Sequence, residues 1–142
     1  VRRILESEAT RCACGHITPN ELARLEQTFR ELAAAKRTVE WSETTQQWDD
    51  YLHELIYRSC GSERLVLEIN RYRVLHQTLR QVRHSKRQND QDFEHMEENA
   101  EHLRIVQALI KGNPDKAAKA MHEHLQQTPL WLERDLFQRQ ES

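Results

Sequence analysis

A chain of 142 residues, 37% hydrophobic and even in texture, has room for one globular domain and little for a second, so residues 1–142 are expected to form a single unit. Its net charge of −2, with Lys and Arg interspersed among acidic side chains, leaves no basic stripe to neutralise phosphates, and these residues alone are not expected to bind DNA. No apolar run reaches the roughly 18 residues that span a bilayer, and no signal-like segment is present, so a soluble, cytoplasmic protein without membrane contact is expected.

Three Gly and three Pro against 31% charged residues predict helices joined by short connections. The first helix is predicted from Val1 to about Cys14, with Ile4, Leu5 and Ala9 at helical spacing and Gly15 as its stop. Thr18-Pro19-Asn20-Glu21 reads as the next start: Thr18 can cap, Pro19 suits the first turn and Glu21 can close a capping box. Leu22, Leu25, Phe29 and Leu32 carry this second helix to about Lys36.

Thr38–Ser42 is expected to be a connection, with Ser42 capping a third helix that ends near Cys60, before Gly61. Ser62 opens a fourth, in which Leu65, Ile69, Tyr72, Leu75 and Leu79 form the apolar stripe; it fades in the polar run Arg83–Asp92. A fifth helix is predicted from about Asp92 to Lys111, with a break near Glu98, and Gly112 closes it. Asn113-Pro114 begins the sixth, which Pro129 ends or kinks, leaving Trp131, Leu132, Leu136 and Phe137 for a final short piece. The fold class that follows is all-α, an antiparallel bundle of six to seven helices.

Cys12, Cys14 and Cys60 are odd in number and are expected to be reduced thiols. Cys12 and Cys14 also point about 200° apart on a helix, which argues against a metal cluster with His16. Val1 in place of Met, followed at once by Arg2 and Arg3 in a helical pattern, creates the expectation of a longer parent protein with a domain upstream.

The histidines carry the chemistry. Asp49 and His53 are four apart on one predicted helix, so one face presents a carboxylate and an imidazole a turn apart. His102 shares its stripe with Ile105, Val106 and Leu109, and His124 continues the stripe Ala117, Ala120, Met121. Three imidazoles turned into a core beside an Asp are costly to bury unless something pairs them. A divalent cation does so: this donor set suits Zn²⁺, Ni²⁺, Fe²⁺ or Mn²⁺ and leaves coordination positions open. His16, His84, His95 and His122 are expected at the surface, while His76 beside Leu75 is a weaker candidate for the site. Taken singly, a His on an apolar face is more often a hydrogen-bonded core residue, and an Asp-x-x-x-His pair more often a surface ion pair, than a metal ligand. Glu-x-x-His pairs of di-iron bundles, His-Glu-x-x-His and a recognisable nucleophile setting are missing. Two other readings stay open: a metal-dependent hydrolase using the same four ligands, and a helical interaction module with structural histidines.

Arg2-x-x-Leu5-Glu6, "WDDYLHELIYRSCGSERL" and "EHLRIVQALIKGNPDKAAKAMHEHL" together resemble the FCD domain, the ligand-sensing C-terminal half of FadR-subfamily GntR transcription regulators, from Arg2 to about Leu125. The resemblance implies an all-helical bundle with a central metal and effector cavity, in which Asp49, His53, His102 and His124 hold a divalent metal, Zn²⁺ or Ni²⁺ first. It implies a small carboxylate effector near the metal, Arg2 as an effector contact, and a homodimer. DNA recognition would belong to an amino-terminal winged-helix domain lying outside this chain. One departure is Ser62 after Gly61, where many members have Asn; Ser caps a helix equally well.

Overall fold

The computed structural model describes residues 1–86 and 98–126, with side chains described to residue 75, at residue 78 and again from residue 98. Among the described residues six helices follow one another: α1 (Arg2–Ala13), α2 (Pro19–Ala34), α3 (Val39–Ser59), α4 (Glu63–Lys86), α5 (Glu98–Ile110) and α6 (Pro114–Gln126). Their ends are written in the sequence. Thr18 Oγ1 accepts from the Glu21 amide at 3.3 Å with Pro19 in the first turn, Ser62 Oγ from the Leu65 amide at 3.2 Å, and Asn113 Oδ1 from the Lys116 amide at 3.1 Å. Gly112 turns the chain at φ 67°, a backbone region that a side chain disfavours, so α6 can fold straight back along α5.

The start of α3 differs from expectation. Thr38, not Ser42, is its cap, accepting from the Trp41 amide at 3.1 Å. Trp41 explains the choice: its indole N–H donates to the Leu32 carbonyl at 2.8 Å, which draws this buried side chain into the first turn of α3 and shortens the connection from α2.

α1 packs against α6, α3 and α4, α2 against α5 and α3, and α5 against α6. Leu25, Phe29, Leu52, Ile56, Ile105, Val106 and Met121 fill the middle. The α4 stripe is the second correction. Ile69 is buried, but Tyr72 is 37% and Leu75 59% exposed, because α4 packs on α1 at the side of the bundle. The side chains of His76, Leu79 and His84, together with His95, the expected stretch Asp92–Glu97, and the final piece with Trp131, Leu132, Leu136 and Phe137, lie outside what is described.

Candidate metal and effector site

The buried face of α3 is polar along one line: Thr45, Asp49 and His53 succeed one another at four-residue steps. From α5, His102 projects between Asn99 and Ile105, and from α6, His124 lies one turn beyond Met121. One ligand atom from each of Asp49, His53, His102 and His124 lies within 4.8 Å of all the others, and all four residues are buried. The structure therefore brings the four predicted residues together from three helices. His16 is exposed as expected, whereas His122 is half-buried, its Nε2 3.1 Å from Gln126 Nε2. All three cysteines are free.

Oδ1 of Asp49 is the common focus. It lies 2.7 Å from His102 Nε2, 3.1 Å from His53 Nε2 and 3.9 Å from His124 Nε2. The ring centroids of His102 and His124 are 4.6 Å apart, and those of His53 and His124 5.8 Å. Phe29 closes one flank, its ring 4.9 Å from that of His102. His53 Nε2 is fully buried and faces only the Asp49 oxygen that it shares with the other two rings. Three buried ring nitrogens directed at one shared carboxylate oxygen fit ligands to a common ion. Imidazole nitrogens and one carboxylate oxygen are donors suited to a divalent transition-metal ion, so the residues fit such an ion.

Two further carboxylates, which the sequence reading did not assign to the site, back the rings. Glu6 of α1 is buried, with Oε1 3.0 Å from His53 Nδ1; the Tyr57 hydroxyl donates to the same oxygen, and Arg2 Nε lies 2.5 Å from Oε2. Glu101 of α5 places Oε1 2.8 Å from His124 Nδ1. A signal for Glu6 existed: it shares the inner face of α1 with Ala9 and Ala13, the same mismatch of polar residue and apolar stripe that marks the histidines. Arg2, the predicted effector contact, therefore stands at the edge of the cluster with a quarter of its side chain exposed.

These contacts set the charges. Burial acts against an imidazolium at His53, but Asp49 and Glu6 outweigh it and push its pKa up to about 9. Burial likewise opposes ionisation of Glu6, yet His53 and Arg2 prevail and hold its carboxyl below the usual range. At His124 burial dominates, helped by the neighbouring His102 and His53 against the Glu101 hydrogen bond, and the pKa falls. In the metal-free protein a proton on His53 thus sits between Glu6 and Asp49, while His124 is held neutral.

Three imidazoles and a carboxylate converging at the centre of an all-helical bundle define a helical domain with a candidate metal-holding site. The chain belongs to the FCD domain family, whose model matches residues 1–127, and is thus an effector-sensing domain of the GntR family of regulators. No curated protein and no solved structure matches it. Among the described residues no helix is long and apolar enough to cross a membrane.

Proposed function

We propose that this domain senses a small carboxylate through a divalent metal ion, Zn²⁺ or Ni²⁺, held by Asp49, His53, His102 and His124. Convergence of the four donor atoms within 4.8 Å is the observation that carries the reading. Bound there, the ion would supply a fixed positive charge with open positions for an oxygen ligand. The protein supplies the rest. Asp49 offsets part of the ionic charge, Phe29 and the surrounding core exclude water, and Arg2, beside Glu6 at the edge of the cluster, offers a guanidinium for the effector carboxylate.

The ligands come from α3, α5 and α6, and Arg2 from α1, so an effector touching both the ion and Arg2 favours one packing of these helices over another. In a homodimer of the parent regulator that preference would alter the spacing of paired winged-helix domains and so operator affinity. Residues 1–142 act in this scheme as one domain, and contact with DNA is made by the winged-helix part alone. FCD domains are regulatory ligand-binding domains, which favours a sensor over a hydrolase built on the same ligands.

Elemental analysis and native mass spectrometry of protein purified without chelator test the proposal together. One ion per chain, a co-purified small acid and a dimer mass are expected. Metal-free protein whose melting temperature ignores added Zn²⁺ and Ni²⁺ would remove it.

A further inference from the structure

Two of the three rings are held from behind by carboxylates, and the third is not. His53 Nδ1 meets Glu6 Oε1 at 3.0 Å and His124 Nδ1 meets Glu101 Oε1 at 2.8 Å, each carboxylate coming from a helix other than that of its ring. The glutamate side chains are 1% and 12% exposed, so water weakens these bonds little. His102 Nδ1 is buried with no hydrogen-bond partner, and its ring rests on Phe29 instead.

Building on the metal-site reading, we infer that Glu6 and Glu101 are positioning residues that fix His53 and His124 as Nδ1–H tautomers and thereby set the affinity of the site. A neutral imidazole carries one N–H. An acceptor on Nδ1 keeps the proton there and leaves the Nε2 lone pair facing Asp49 and the ion. A carboxylate acceptor also polarises the ring, which makes Nε2 a stronger donor than a neutral acceptor would. Glu6 is itself fixed, by the Tyr57 hydroxyl on Oε1 and by Arg2 on Oε2. His102, backed by hydrocarbon, gains neither orientation nor basicity in this way, so the three imidazoles are unequal ligands.

The test uses the full chain and two probes, Co²⁺ for its ligand-field spectrum and Zn²⁺ in competition with a chromophoric chelator. Glu6→Gln, Glu101→Gln and Glu101→Ala are each expected to keep one ion per chain while affinity drops by about 10- to 100-fold. Glu101→Gln should fall between wild type and Glu101→Ala, because the amide oxygen still orients the ring but lacks the charge. On the Zn²⁺-loaded protein, ¹⁵N imidazole spectra should show Nδ1–H at His53 and His124. Glu6→Gln also releases Arg2 and Tyr57; should it fail to fold, the Glu101 pair carries the test. Wild-type protein that binds one ion, beside Gln variants with unchanged affinity and Co²⁺ spectrum, overturns the positioning role alone. Wild-type protein that binds no ion overturns the metal reading and this inference with it.

Discussion

Nε2 of His102 lies 2.7 Å from Oδ1 of Asp49, although 53 residues of chain separate them. The contact fastens α5 to α3 at the centre of the bundle, and the same oxygen is within 3.9 Å of the other two rings. Asp49→Asn removes the one negative charge common to all three. Without metal, the His53 proton loses one of its two carboxylates, and breaking such a buried pair costs about 3–5 kcal/mol. Urea denaturation of the metal-free variant should show a loss on that scale, and Zn²⁺ titration should show binding weakened by at least an order of magnitude.

His102, His124 and His122 separate ligand from bystander. The first two are buried against Asp49, whereas His122 is half-buried and meets Gln126 one turn on. His102→Ala and His124→Ala should each lower metal content well below one ion per chain, and with it the melting temperature. His122→Ala should leave both unchanged. Equal metal content in all three variants would mean that the ion, if any, is held elsewhere.

Proton and metal compete for His53. Its folded pKa, about 9, exceeds the usual 6.5, so its contribution to metal-free stability is complete below about pH 6.5 and is lost as pH rises through about 9. His124 has the opposite sign: its folded pKa is lowered, so stability is lost as pH falls below the usual imidazole value. In loaded protein His53 is a neutral imidazole, with no second proton to lose. The gap in melting temperature between loaded and metal-free protein should therefore widen from pH 7 to pH 9.5. Binding at pH 7 should release about one proton per ion, measured by calorimetry in buffers of different ionisation enthalpy.

The four clustered residues were legible because each breaks a pattern: a polar ring at His102 or His124 where the helix stripe calls for hydrocarbon, and a carboxylate one turn from His53. Caps at Thr18 and Ser62 were legible for a similar reason, since a hydroxyl before a helical run has few other uses. Tertiary contact erased the signal elsewhere. Ser42 and Thr38 are equal caps on paper, and only the bond from Trp41 to Leu32 chooses between them. The stripe of α4 had the right period, but period does not say whether a neighbour covers it, and Tyr72 and Leu75 remain open. Glu101 next to His102 looks like an ordinary surface acid until α6 brings His124 over it.

Because its four donors would come from α3, α5 and α6, a bound ion would add to the packing and the few side-chain hydrogen bonds that already join these helices. It binds the folded chain and has no such site in the unfolded one, so free metal at 100 times the dissociation constant adds about 2.7 kcal/mol of stability. That gain should be uneven. Removing metal with a chelator should raise amide exchange most in α5 and α6, since each supplies a ring and the two are joined through Gly112. The first turns of α2, capped by Thr18 and remote in sequence from every ligand, should exchange as before. Hydrogen exchange read by mass spectrometry, with and without Zn²⁺, resolves these segments. Uniform protection along the chain would show that the ion stabilises only the global fold, and protection confined to α3 would show that Asp49 and His53 hold it without His102 and His124.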